Sequence, residues 1–349
     1  MKKWAIAAFT IFLLLSGCSQ TSSSKEPVKK QKETVKAEKK PEAQKQFPYS
    51  FPLTGKGSET KTNGRAIAIM INNHPKARPQ SGLQKADLVY ELLAEGDITR
   101  FLAVFQSEKP DIIGPIRSAR GYYVELAKGL DALYIAHGYS PEAKEMLDGG
   151  YVDNLNGMVY DGTLFQRASF RKAPHNSYIT YKNILKGAKQ KNYSMDKSPP
   201  AFTFLTEEES KNIQGDPALA ATVSYFLNSQ FKAVYQYDSQ IGKYKRFSGG
   251  EQTVDLDTKE PVLLDNIFII EAVHQTVDSV GHRKIDLQSG GNAYLLQKGK
   301  VNFVEWKNSS GRIIPVKNGK EVPFVQGKTW VNVVPTNPGL QKSVSLTVK

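Results

Sequence analysis

From residue 66 onward the chain alternates between short apolar runs and polar breaks rich in glycine. Ala66-Ile-Ala-Ile-Met-Ile71 is a continuous apolar run of strand length, the pattern of a buried strand. Residues 87–93 and 100–105 read as two more strands, with Gly96 and Asp97 turning between them as in a hairpin. Ser118 is placed to cap a helix from Ala119 to about Gly129. Residues 130–136 are apolar again and predict a strand. Ser140, Pro141 and Glu142 then supply an N-cap, a proline at the first helical position and an acidic first turn, so a helix follows. Residues 182–191 predict another helix.

Beyond Pro200 the pattern changes. Residues 201–205 read as a strand, and after Thr222 almost everything alternates with period two. Residues 231–237 and 244–247 flank a short polar loop, the signature of a hairpin. The runs 267–273, 283–287, 293–297, 301–306 and 329–334 continue the alternation. Gly290-Gly291, Lys298-Gly299, Ser310-Gly311 and Asn318-Gly319 supply the turns. The predicted fold class is therefore α+β: a mixed α/β domain over residues 47–198, then a mainly antiparallel β domain over 199–349, in the manner of a small barrel or sandwich.

The first 46 residues follow neither pattern. Met1-Lys2-Lys3 precedes an uncharged, mostly apolar run from Trp4 to Leu15, and then Leu15-Ser16-Gly17-Cys18. This is a charged n-region, an apolar h-region and small residues before a cysteine, so residues 1–17 read as a secretory signal peptide. The run is too short to span a membrane as a helix, which takes about 20 residues. Residues 18–46 combine Cys18 with a Lys-, Glu-, Gln- and Ser-rich stretch that has little to bury, a tether. As a coil its 28 residues after Cys18 cover roughly 30 Å, and fully stretched about 95 Å.

Composition narrows the functional classes. Cys18 is the only cysteine among 349 residues. Once it is modified, the exported body has no disulfide, no cysteine metal ligand and no thiol nucleophile. Of the net charge of +13, Lys2 and Lys3 carry +2 and residues 19–46 carry +4, which leaves +7 on the body. A basic surface outside the cell favours anionic envelope partners. Export and the absence of a nucleic-acid motif argue against nucleic acid.

Candidate chemistry concentrates in arginines and histidines. Arg117 and Arg120 lie three apart in a turn entering the predicted helix, where free N–H groups and guanidinium forks would suit a phosphate or carboxylate. Arg78 lies in the polar loop 72–80 with Asn72 and Asn73. Arg100 opens a strand, and Arg167 and Arg171 precede His175 and Asn176. The alternative for each arginine is a solvated charge or an ion pair to Glu91, Glu95 or Glu125. Asp87, Glu91 and Glu95 share one face of a strand and read as partners for those arginines. His137 follows a strand and precedes Gly138, a position suited to proton transfer or to a turn. Metal-ligand spacing, a Gly-x-Ser-x-Gly elbow and a glycine-rich phosphate loop are all missing from the sequence, so no cofactor and no metal are expected, and no catalytic residue is named.

Several strings resemble a known family. Leu15 to Cys18 resembles a bacterial lipobox, which implies cleavage before Cys18, a diacylglycerol on its sulfur and a further acyl chain, commonly palmitate, on its new amine. With the lipobox go Asn72-Asn-His-Pro-Lys-Ala-Arg-Pro-Gln-Ser-Gly82, Ala86-Asp-Leu-Val-Tyr-Glu91, Thr99-Arg-Phe101, Gly114-Pro-Ile-Arg-Ser-Ala-Arg120, Lys172-Ala-Pro-His-Asn176 and Gly327-Lys-Thr-Trp330. Together they resemble the YerB-type lipoproteins over essentially the whole chain. The resemblance implies a two-part body, attachment to the outer side of the cell membrane, and no known activity. A looser likeness joins Pro115-Ile-Arg117 and Ala136-His-Gly-Tyr-Ser-Pro-Glu142 to the LytR-CpsA-Psr transferases, which hold a polyprenyl pyrophosphate with arginines. Here Ser118 stands where that family has an aspartate after the arginine. The reading carried forward is a membrane-anchored lipoprotein that binds an anionic envelope ligand, a phosphorylated lipid or glycan. Its ligand residues are Arg117, Arg120, Arg78, Arg100, Arg171, Asn72, Asn73, His137, His175 and Asn176. The alternative is a non-catalytic scaffold lipoprotein whose β domain binds a protein partner.

Overall fold

In the computed structural model, which describes residues 47–225 and 229–348, the predicted strands assemble mainly into one wide sheet. The signal peptide, Cys18 and the tether lie outside the described residues. Gln46–Lys349 forms a single compact unit. In chain order its principal strands are β1 (Ile67–Asn72), β2 (Leu88–Leu93), β3 (Thr99–Phe105), β4 (Leu133–Ala136), β5 (Asn154–Asn156), β6 (Phe165–Arg167), β7 (Ser177–Thr180), β8 (Ala220–Val223), β9 (Ala233–Asp238), β10 (Lys243–Ser248), β11 (Asn266–Ala272), β12 (Gly291–Gln297), β13 (Lys300–Ser309), β14 (Arg312–Lys317), β15 (Thr329–Pro335) and β16 (Val344–Thr347). The longer helices are α1 (Gly121–Gly129), α2 (Pro141–Asp148) and α3 (Tyr181–Gln190). Strands outnumber helices, and the sheets are mixed and antiparallel.

The wide sheet runs β14-β13-β12-β11-β15-β2-β3-β1-β4-β5. Strands β11 to β15 therefore join the sheet begun by β1 to β5 and do not close into a barrel of their own. The seam is a parallel pairing of β15 with β2, Thr329 opposite Leu88 through Val333 opposite Leu92. A second sheet, in the order β10-β9-β8-β16, stacks on the first. A small third sheet holds β6, β7 and Ile112–Ile113.

Alternation along the strands sorts side chains between two apolar layers. In β1, Ala68 and Met70 enter one layer with Tyr122, Tyr123 and Leu126 of α1 and Ala143 of α2. Ile67, Ile69 and Ile71 enter the other, with Ile184 and Ala188 of α3 and with Ala221, Tyr235 and Tyr244 of the second sheet. All six residues of β1 are buried, and its first five, Ile67 to Ile71, are continuously apolar for that reason. Each such aliphatic side chain contributes about 2 kcal/mol by leaving water.

Two local expectations change. Helix α1 begins at Gly121, with Arg120 at the N-cap and no side-chain cap. The Ser118 hydroxyl instead donates to the His137 carbonyl at 3.2 Å. Residues 201–205 make no strand, only a single bridge from Phe204 to Phe324. Their alternation reflects Phe202 and Phe204 packing on the core without a hydrogen-bonded ladder. Ser140 accepts from the Ala143 amide and caps α2 as expected, and α3 starts after Thr180, whose side chain accepts from the Asn183 amide.

Strand direction positions the site. Strands β1, β4 and β5 pair in parallel. Strand β3 is antiparallel to both β1 and β2, and β2 is parallel to β15 and through it to β11. The carboxyl ends of β1, β2, β4, β5, β11 and β15 thus share one edge. From β1 the chain leaves toward β2 on one side, and from β4 toward β5 on the other. The ends of β1 and β4 form a topological switch point, where sheets of this kind open a crevice for ligands.

Candidate functional site

Asn72, Asn73 and His74 leave the end of β1, and His137 leaves the end of β4, so both strands deliver polar side chains to the switch point. The loop 168–176 brings His175 and Asn176 over them. Its placement is held by Arg171, which donates to the Tyr178 hydroxyl at 2.6 Å and to the Pro79 carbonyl at 2.7 Å.

Two imidazoles stack there. The rings of His74 and His175 lie 4.6 Å apart, 28° from parallel. The Lys76 amide and the Asn72 side chain fix their protonation. Asn72 Oδ1 accepts the His74 amide at 3.0 Å, which turns its Nδ2 to donate to His175 Nδ1 at 2.9 Å. His74 Nδ1 accepts the Lys76 amide at 3.1 Å. With both Nδ1 atoms accepting, each neutral ring carries its proton on Nε2. Among the described residues neither Nε2 has a hydrogen-bond partner. Burial lowers both pKa values below 6.5. Lys76, Arg78 and Arg117 add to this at His74, and His74 itself and then Arg117 at His175.

Arg117 completes the cationic group. Its backbone is fixed between strands, with its N–H on the Met70 carbonyl and its carbonyl accepting from His137. Nη1 donates to the Pro174 carbonyl at 3.3 Å, one residue from His175. Among the described residues no carboxylate pairs with it. Burial, followed by Arg100, lowers its pKa to about 10, so it stays charged at neutral pH.

His137 is already satisfied. Its Nε2 accepts from Arg167 at 2.8 Å, so Nδ1 carries the proton and donates to Ser177 Oγ at 2.7 Å. Arg167 is held by Asp161 at 2.9–3.1 Å and by Asn176 Oδ1 at 3.2 Å. Burial and Arg167 lower the His137 pKa. Gly157 is required beside the ring, since a Cβ there would lie 2.2 Å from His137 Nδ1.

The other arginines named from the sequence lie elsewhere in charge terms. Arg100 donates to Glu95 at 2.6 Å and to the Ser118 carbonyl at 3.0 Å, and Arg120 pairs with the same Glu95. Both guanidiniums are almost fully buried. They neutralise Glu95 and brace the segment that carries Arg117. The start of α1 faces a protein carboxylate: a Cβ on Gly121 would meet Glu142 Oε2 at 2.6 Å. Arg78 wraps its own loop, donating to Asn73 at 2.7–3.1 Å and to the Gln230 carbonyl at 2.9 Å. Asn73 also donates to Thr99 Oγ1 at 2.7 Å and to Glu91 at 3.3 Å. Asp87 is fully buried and accepts the Gln106 and Ser107 amides at 2.7 Å.

Sequence reasoning did not find the partner of Glu91, which is Arg246 in the second sheet. The signal was present: Arg246 stands between Tyr244 and Ser248 at the inward positions of an alternating strand. His74 and Lys76 were also not singled out as ligand groups. Their sign was a string of polar residues directly after a fully apolar strand.

Comparison with known proteins places the chain. Residues 53–194 match the N-terminal domain, and residues 221–331 the C-terminal domain, of a family described as "Protein of unknown function (DUF3048)". The chain belongs to this two-part family. It is 45% identical over 344 residues, 96% of each chain, to a Bacillus subtilis (strain 168) protein described as "Putative lipoprotein YerB". A crystal structure of the YerB protein from Bacillus subtilis superposes with a TM-score of 0.80 at 46% identity, covering 86% of this chain and 99% of that one. The YerB-type resemblance read from the sequence is thereby shown. The two matched segments meet in the wide sheet at the β15–β2 pairing.

Proposed function

We propose that this protein is a lipoprotein anchored through Cys18 on the outer side of the cell membrane, and that it binds a phosphate-bearing envelope ligand, lipid or glycan, at the carboxyl edge of β1 and β4. Arg117 and the Nε2–H groups of His74 and His175 contact the anion. Lys76 adds charge, Asn72 orients the imidazoles, and His137, Arg167 and Asn176 form the far wall. Arg100, Arg120, Arg78 and Arg171 support this geometry through their pairings.

The observation that carries the reading is the pair of stacked imidazoles, both with donor nitrogens free, beside an arginine that no carboxylate neutralises. Crowding cations without counter-charge costs stability, and an anion relieves that cost. Charge-assisted donors of fixed orientation suit a phosphate oxygen. Both ring nitrogens of His137 are engaged and the neighbouring Ser177 is buried, so these two residues serve as wall and not as contacts to the anion.

The test is calorimetric titration of residues 47–349 with pyrophosphate at two salt concentrations. Binding that survives 0.3 M salt and falls at least tenfold in Arg117→Ala supports the site, since one charge-assisted hydrogen bond is worth about 1.5–3 kcal/mol. Unchanged binding in that variant overturns it.

A further inference from the structure

Resting on that reading of the cationic site, we infer that the edge carrying it docks on an anionic lipid bilayer, with exposed apolar side chains entering the headgroup layer around the bound phosphate. Val159, Val280, Phe170 and Met158 are the four most exposed large apolar side chains among the described residues, at 73%, 68%, 66% and 60%. All four belong to segments at the same edge of the wide sheet.

Met158 and Val159 lie on the short helix Gly157–Tyr160 that directly follows β5. The helix starts at Gly157, against which the His137 ring packs. Phe170 lies in the loop that lays His175 on His74, and its ring sits 5.4 Å from the Arg171 guanidinium. Val280 tips the hairpin made by His274–Thr276 and Arg283–Ile285, which follows β11. That hairpin is tied to the β2–β3 turn by Arg283, which donates to the Gly96 carbonyl at 2.9 Å.

The chemistry of this face selects a bilayer. The prongs are separate apolar side chains. Met158, Val159 and Phe170 share their edge with Lys76, Arg117, Arg167, Arg171 and the exposed Lys172, where Asp161 pairs with Arg167. The Val280 hairpin carries Asp278, paired with His282, beside the turn that holds the exposed Asp97. A protein partner would need a contiguous apolar surface with matching shape. An anionic bilayer needs neither, because its headgroups attract the cations and its acyl boundary accepts isolated apolar groups at any spacing. The chain outside the described body fits the same occupant. Residues 19–46 join the lipobox cysteine to the body and reach about 95 Å when stretched, so the body can turn this edge toward the membrane that holds Cys18.

The experiment is co-sedimentation of residues 47–349, without signal or lipid, with phosphatidylglycerol–phosphatidylcholine vesicles and with pure phosphatidylcholine vesicles. Pyrophosphate titration runs in parallel. The wild type is expected to sediment with the anionic vesicles only. The triple variant Met158→Ser, Val159→Ser, Phe170→Ser is expected to lose at least tenfold in vesicle association while its pyrophosphate affinity stays within twofold. Equal sedimentation of variant and wild type, or equal binding to neutral vesicles, overturns docking. So does wild-type self-association that the triple variant abolishes in the absence of vesicle binding, which would assign the face to a second copy. Prong-dependent vesicle binding without pyrophosphate binding sustains docking and rejects the phosphate site, so the two readings fail separately.

Discussion

Arg246 Nη2 lies 2.8 Å from Glu91 Oε2, and both side chains are buried, at 1% and 0% exposure. The pair joins β10 of the second sheet to β2 of the wide sheet. Trp330 donates to the same carboxylate at 3.0 Å, and the Arg246 guanidinium stacks 4.4 Å from the Trp330 ring and 5.1 Å from that of Phe101. Thr99 and Asn73 complete the shell of Glu91. Through Asn73 the buried pair reaches the loop that carries His74.

Removing one member of such a pair strands a charge in the interior. Arg246→Met is expected to lower the unfolding free energy by about 3–5 kcal/mol. The double variant Glu91→Leu, Arg246→Met should recover much of that loss. Urea denaturation of the two singles and the double measures the coupling, and a double variant as unstable as the sum of the singles would contradict it.

Glu95 and Arg117 should separate stability from binding. Glu95→Ala leaves the buried Arg100 and Arg120 without their shared carboxylate. It is expected to cost about 3 kcal/mol of stability. Arg117→Ala removes a guanidinium bound to one carbonyl and should shift Tm by no more than about 2 °C while binding collapses. A scan of Tm and of pyrophosphate affinity for both variants checks the contrast.

Acid should strengthen anion binding at His74 and His175. Both pKa values lie below 6.5 in the free protein, so both rings are neutral at pH 7. A bound anion favours their charged forms, so protons are taken up on binding and affinity rises as pH falls through the region below 6.5. Sulfate, whose charge is constant over this range, is the suitable probe. Its affinity is expected to rise at least about tenfold between pH 8 and pH 5.5. The double variant His74→Gln, His175→Gln should show a flat profile.

Acid should weaken the fold through a different histidine. His274 donates its Nδ1–H to the Ala272 carbonyl at 2.9 Å, and burial drives its pKa down to about 4. A depressed histidine pKa means that the unfolded state takes up the proton first. Stability is therefore fully present above about pH 6.5 and is lost as pH falls toward 4, by ~3 kcal/mol. Guanidinium melts at pH 7 and pH 4 should show this loss in the wild type and a smaller one in His274→Gln.

Gly157→Ala tests the seat of His137. The added methyl would overlap the imidazole, forcing the ring away from Ser177 and Arg167. Binding should weaken several-fold with about 1–3 kcal/mol of destabilisation, the usual cost of overpacking. Chemical shifts of the His137 ring would report the displacement directly.

The elements of this protein were legible in its sequence because each follows from a local rule. The apolar run of β1, the Ser140-Pro141-Glu142 start of α2 and the alternation of β9 to β13 and of β15 need only neighbours in the chain to define them. The family strings were legible for the same reason. Tertiary structure decided which charges meet. Arg117 and Arg120 look alike three residues apart, yet Glu95 and Glu142 take the second environment and leave the first open. His74 and His175 are 101 positions apart in the chain and stack only because β1 ends under the loop 168–176. Strands β11 to β15 complete a sheet begun by β1 to β5, since apolar alternation specifies two faces and not which edge a strand will join. Local patterning determines the pieces; long-range pairing, which no short window encodes, determines the site.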